Sequence, residues 1–194
     1  MPDTTQGKPR VGGLSRRAAL ALLMGAPLTL HARSPIPAEV TAELPGVRLL
    51  GSGRLTFFAM PIYVARLWVV GSFRADAFAQ CPLALELEYA RTLRGELIAE
   101  RSLEEMRRSG HIGAEQGQAW LAAMGNMFPD VAKSDRLTAL HRPGQPLRFF
   151  FNAKLRGELA DAEFGPRFLA IWLAPQTSEP ELRQALLGER GSTS

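Results

Sequence analysis

The residue pattern points to one α+β domain, an antiparallel sheet with a layer of helices on one face. Strand-like runs and helix-like stripes follow in blocks: strands, helices, strands, helices. The run Leu83 to Tyr89 alternates between an apolar face (Leu83, Leu85, Leu87, Tyr89) and a more polar one (Ala84, Glu86, Glu88), as a strand does. Asn152-Ala153 separates two further strand runs by two residues, a hairpin spacing that makes neighbours antiparallel.

Residues 1–32 read as a targeting segment instead of structure. Met1 to Leu14 is polar and turn-rich, Arg16-Arg17 follows, and Ala18 to Leu30 carries no charge. Adjacent arginines before a short apolar run form the twin-arginine pattern. The run is shorter than the roughly 20 residues of a membrane-spanning helix. Ala32 is the expected cleavage position, which would send the chain through the twin-arginine export machinery to the periplasm. A general secretory signal and an uncleaved interfacial helix are the competing readings. Residues 33–45, with Pro35, Pro37 and Pro45, are expected to be a linker, 46–188 the domain and 189–194 a flexible tail.

Val47 to Phe58 reads as a strand interrupted at Gly51-Ser52-Gly53. Ile62 to Val70 is β-branched or aromatic on both faces, the mark of a strand covered on two sides. Helices are expected over Glu96–Arg108, with Ser102 to Glu105 as an internal capping box, and around Trp120, Met124, Met127 and Phe128, ending at Pro129. Strands follow at Leu137–Leu140, Leu147–Phe151 and Lys154–Leu159. Asp161 should cap a helix carrying Phe164, Phe168, Ile171 and Trp172. Ser178-Glu-Pro-Glu181 resembles a capping box for a last helix that Gly188 closes. The aromatic stripes read as core.

The 194-residue chain carries a formal charge of +4. Lys8, Arg10, Arg16 and Arg17 against Asp3 place most of it in the first 32 residues. The remainder is close to neutral, which argues against nucleic acid and anionic membrane surfaces as partners. No stable membrane insertion is expected after processing. Cys81 is the only cysteine, so no internal disulfide can form, and it reads as a small buried hydrophobe.

Most catalytic patterns are missing. His111 and His141 have no neighbour at metal-ligand spacing, no G-x-S-x-G elbow exists, and Gly51-Ser-Gly53 precedes a strand where a dinucleotide loop would precede a helix. Catalytic residues, metal and cofactor are therefore all expected to be none. Glu86 and Glu88 read as the polar face of a strand. Glu104 and Glu105, with Arg101, Arg107 and Arg108, read as a solvated helix surface.

Arg66 stands out, because alternation groups it with Ile62, Val64, Trp68 and Val70. A buried guanidinium needs a carboxylate, a ligand anion or a route to water. It is thus either an internal ion-pair or rim arginine, or a ligand-binding residue. Tyr63 on the opposite face and Arg54 on the preceding strand are further ligand-binding candidates.

The segment LLGSGRLTFFAMPIYVARLWVV resembles the opening hairpin of chalcone isomerase-like proteins, where a Gly-x-Gly turn leads into a Tyr-x-Ala-x-Leu-aromatic strand. The similarity continues through LALELEYART, RSLEEMRR, NMFPDV, SDRLT, RFFFNAKLRGEL, FLAIWL and LRQALLG, from Val47 to Gly188. It implies an open-faced β-sandwich with a ligand cleft between sheet and helices. Plant members close a flavanone ring, whereas fatty-acid-binding relatives hold a carboxylate with arginine and tyrosine. Carried onto this chain, the catalytic arginine falls on Leu55, with Arg54 one position off, and the threonine near Ile62. The tyrosine and asparagine fall near Ile98 and Glu105. The resemblance therefore implies a non-catalytic binder of a small amphipathic ligand such as a fatty acid. The alternatives are an isomerase (intramolecular lyase) acting on a chalcone-like or enone substrate, and a structural or partner-binding protein whose cleft is filled.

Overall fold

Six strands form one antiparallel sheet in simple sequence order in the computed structural model, which describes residues 35–189. Arg16, Arg17, Ala32 and the last five residues lie outside the described residues. The strands are β1 (Val47–Phe57), β2 (Met60–Val70), β3 (Leu83–Tyr89), β4 (Arg136–His141), β5 (Leu147–Phe151) and β6 (Lys154–Leu159); the helices are α1 (Ala38–Glu43), α2 (Gly95–Met106), α3 (Ala114–Met127), α4 (Phe164–Leu173) and α5 (Pro180–Leu186). A short 3₁₀ segment, Ala75–Gln80, went unnoticed in the sequence. Cys81 closes it, buried, with its thiol directed at the Ala77 carbonyl.

The inner face of the sheet carries Ala65, Leu67, Val69, Leu83, Leu85, Leu87, Leu137, Ala139, Leu147 and Phe149, all buried against the helical layer. Phe128, Phe149, Phe164 and Phe168 interlock edge-to-face or stacked in its centre. Fully burying one such side chain contributes about 1.5–3 kcal/mol, so this layer dominates the stability.

The expected linker is partly structure. Residues 38–43 form α1, and Val40 and Leu44 are buried on the outer sheet face against Trp68, Ala84, Leu140 and Phe150. Prolines at 37 and 45 bracket that helix instead of extending the chain. The outer face is therefore covered in part, and Glu86 is not on a solvated polar face. It is 2% exposed, accepting from Trp68 Nε1 at 2.8 Å and from Arg66 Nη1 at 3.2 Å. Desolvation raises its pKa, with Trp68 and Arg66 working against the shift.

β1 runs unbroken through Gly51-Ser52-Gly53, with a register irregularity between Leu49 and Gly51. The glycines serve the close approach of α5: a Cβ on Gly51 would lie 2.2 Å from the Ala185 carbonyl oxygen. The β1–β2 turn is Phe58-Ala59, with φ of 46° and 61°, and the β5–β6 turn is Asn152-Ala153, with 48° and 67°. Alanine thus occupies the second left-handed position that glycine would favour. Asn152 compensates by accepting from the Arg136 N–H and donating to Asp135.

The capping expectations divide. Asp161 Oδ1 accepts from the N–H groups of Glu163 and Phe164, and Gly188 closes α5 at φ 73°. Ser102 is no cap, because α2 is continuous and its hydroxyl donates to the Ile98 carbonyl. Ser178 is no cap either: α5 is flanked by Glu179 and has no side-chain cap, and the Thr177 hydroxyl accepts from the Glu179 N–H in the turn just before the helix.

Candidate functional site

A cavity of about 250 Å³ lies between the inner sheet face and α2, α4 and the start of α5. Its wall is mostly apolar: Leu55, Ile62, Leu87, Leu137, Phe128 and Phe168. Ile62 belongs to the outer face by strict alternation. The register irregularity between Leu55 and Thr56, which pair with Tyr63 and Pro61, leaves Ile62 between ladder positions, and both Ile62 and Tyr63 line the cavity. A bulge of this kind re-aims side chains beside a site.

Polar groups gather on one side of the cavity, from Tyr63, Arg101, Ser102, Glu105, Trp172 and Glu179. Tyr63 accepts from Trp172 Nε1 at 3.0 Å, which leaves its own hydrogen to donate. Burial pushes the Tyr63 phenol well above the ordinary tyrosine value, so it stays neutral. Tyr89 packs edge-on against it at 6.0 Å between ring centroids and is raised by the same cause. Arg101 pairs with Glu104 at 3.0 Å and with Glu105. Glu105 also lies 3.6 Å from Arg108. The Glu179 carboxyl is raised above its usual value, first by desolvation and then by the charge of Glu105, with Arg101 opposing. Leu97 and Arg101 line the cavity and are also solvent-exposed, so they mark its mouth.

Of the three ligand-binding candidates, only Tyr63 belongs to this cavity. Arg66 does not line it: the guanidinium is on the outer face, 2.8 Å from Glu88 and 3.2 Å from Glu86. The physical reason is the strict two-residue period of the strand, which puts Arg66 beside Trp68 and opposite Glu86 in register. Arg54 pairs in register with Val64 and is exposed. Gly53, immediately before it, faces α5, and alternation then directs Arg54 to the other side of the strand, away from the cavity.

The residue pattern by itself did not assign Arg101, Glu105, Trp172 or Glu179 to a site, and of these only Glu105 was touched by the family resemblance. Glu105 was expected on a solvated face, yet it is buried. The available signal was spacing: Ile98, Arg101, Ser102 and Glu105 recur at three and four residues, one stripe of a helix. Among the described residues no group of histidine, cysteine and acidic side chains could hold a metal ion.

The positions onto which the resemblance carries a catalytic arginine, threonine, tyrosine and asparagine are Leu55, Ile62, Ile98 and Glu105, and all four line the cavity. The cleft is in the expected place, with three of those positions apolar.

Comparison with known proteins agrees with this architecture. The chain is 26% identical over 144 residues to an uncharacterized protein of Haemophilus influenzae, covering 74% of this chain and 69% of that one. Its fold is similar to the crystal structure of a fatty-acid binding protein from Arabidopsis thaliana, with a TM-score of 0.58 at 12% identity, over 75% of this chain and 88% of that one. The chalcone isomerase-like family model matches residues 32–188, and the chain belongs to the chalcone isomerase-like family.

Proposed function

We propose that this protein is an exported, non-catalytic binder of a small amphipathic molecule such as a fatty acid. The observation that carries the reading is the cavity itself, an apolar space with its polar groups on one side. Its volume of about 250 Å³ is many times the roughly 10–15 Å³ that holds one water, which leaves room for an alkyl tail. That suits the tail of a medium-length chain, with a head group left at Arg101 and Tyr63. The replacement of three catalytic positions by Leu55, Ile62 and Ile98 supports binding over ring closure, since transition-state donors at such positions supply the rate. The Arabidopsis neighbour, named for binding fatty acids, supports the same class of ligand. A cleft packed solid would favour a structural role, and the open volume speaks against it.

Glu105 and Glu179 beside Arg101 favour a second reading of the head group. Two carboxylates around one guanidinium suit a neutral donor, such as an alcohol, as well as an acid.

Native mass spectrometry of the protein purified from its own cells tests the reading. A co-purifying lipid of medium chain length is expected; a chain that always flies empty and takes up no added amphiphile contradicts it. Export rests on Arg16-Arg17 before the uncharged run. Replacing both with lysine should retain full-length precursor in the cytoplasm, and processing at the normal rate would remove the twin-arginine assignment.

A further inference from the structure

The simple up-and-down order of the sheet brings the β1–β2 turn, the end of β3, the start of β4 and the β5–β6 turn to one end. The β1–β2 turn presents Phe57 at 61% exposure, Phe58 at 83% and Met60 at 47%. Leu97 and Leu155, the other large exposed apolar residues near this end, follow β3 and open β6. Ile36 and Leu49 are exposed elsewhere.

Phe58 occupies a left-handed position, φ 46°, that asparagine or glycine would take with less strain. Its ring meets Phe57 edge-on at 4.5 Å and otherwise projects into solvent. The fold gains little from that ring, and the backbone would be easier without it.

The charges at this end are unbalanced. Arg54, Arg91, Lys133 and Lys154 make no ion pair among the described residues; Arg91 instead reaches Met60 Sδ at 3.7 Å. Of the nearby acids, Glu88 is paired with Arg66 and Glu96 with Arg94, whereas Asp130 and Asp135 are hydrogen-bonded only to neutral groups and keep their charge, so the four free bases exceed the unpaired acids by two. Near-neutrality of the whole domain conceals this local excess.

We infer that the Phe57–Met60 turn is a membrane-docking tip, which dips its apolar side chains into an anionic lipid surface while Arg54, Arg91, Lys133 and Lys154 meet the headgroups. Aromatic and aliphatic side chains flanked by basic ones are what an interfacial contact requires. Each basic residue close to an anionic surface strengthens attachment by about fivefold. The cavity wall begins at Leu55 and Ile62, two residues behind the turn on each strand, so docking would bring the cavity close to the bilayer. The inference concerns the tip alone and holds whatever molecule occupies the cavity.

Phe58→Trp places a reporter at the turn. With phosphatidylglycerol vesicles its emission should shift to shorter wavelength and become shielded from an aqueous quencher; with phosphatidylcholine vesicles, or in high salt, it should not. Phe57→Ser/Phe58→Asn, which suits the turn backbone, should lower co-sedimentation with anionic vesicles by about tenfold or more relative to a parent with the same N-terminus. Uptake of an amphiphile into the cavity should survive in that variant, so failure of docking and failure of ligand binding are told apart. Unchanged emission of the Phe58→Trp protein with anionic vesicles overturns the inference. So does a dimer in solution that the double variant dissolves without any vesicle effect, which would assign the tip to a second copy of the chain.

Discussion

Trp172 donates its indole N–H to the Tyr63 hydroxyl at 3.0 Å, joining α4 to β2 on the wall of the cavity. Both side chains line the space, and the Tyr63 hydroxyl is buried. Tyr63→Phe leaves the indole N–H without a partner, at a cost of about 1–2 kcal/mol. Trp172→Phe removes the donor and also volume, and should cost more. The double change should cost less than the sum of the two, because no polar group is stranded. Urea unfolding of the four proteins checks this; strict additivity would show that the bond contributes nothing.

Arg66 is held between Glu86 and Glu88 on the face away from the cavity. Arg66→Met should leave amphiphile affinity unchanged while lowering stability by about 3 kcal/mol, the low end for breaking a buried pair, since Glu86 keeps its bond from Trp68. The loss should shrink as the pH falls. Desolvation already raises the Glu86 carboxyl, and without the guanidinium it rises further, so a proton taken up at mildly acidic pH relieves the stranded charge. A deficit that does not change with pH, or a loss of ligand affinity, would show that this account of Arg66 is wrong.

Asp161 accepts from Trp120 Nε1 at 2.8 Å and from two N–H groups at the start of α4. Desolvation works to raise its pKa, but these hydrogen bonds outweigh it and hold the carboxyl below the ordinary aspartate value. A depressed folded value means stability present above the unfolded pKa, about 3.9, and lost as the pH falls through the folded one. Asp161→Ala should therefore cost about 2 kcal/mol at neutral pH, with the gap closing below about pH 4. Thermal unfolding across that range measures it, and a gap that persists in acid would contradict the assignment.

Leu55, Ile62 and Ile98 stand where the family resemblance carries catalytic donors. Each absent donor costs about 3–4 kcal/mol of transition-state stabilisation. The purified protein should therefore not accelerate chalcone ring closure above the rate in buffer. Saturable turnover would promote the isomerase reading.

The sheet was legible because β3 and β4 carry apolar residues at a two-residue period, and because the turn at Asn152-Ala153 has hairpin length. α1 was not legible. Its six residues lie among prolines, and Val40 and Leu44 form an apolar stripe only against Trp68, a partner far along the chain. The cavity was half legible. Tyr63 could be assigned to the inner face by alternation, whereas Ile62 needed the bulge. Glu105 looked solvated because helix charge patterns carry no information on what packs over them. Arg66 could be recognised as needing a partner, but choosing between a ligand and Glu86 required the strand register.

Calorimetric titration of decanoate, with decanol alongside, tests the central claim most directly. The account predicts one saturable site per chain with a negative heat-capacity change, as burial of apolar surface requires. It also predicts loss of that site in Ile98→Trp, which fills the cavity, with the variant's folding confirmed by circular dichroism. No saturable heat for either amphiphile, or binding undiminished in a folded Ile98→Trp protein, would contradict it.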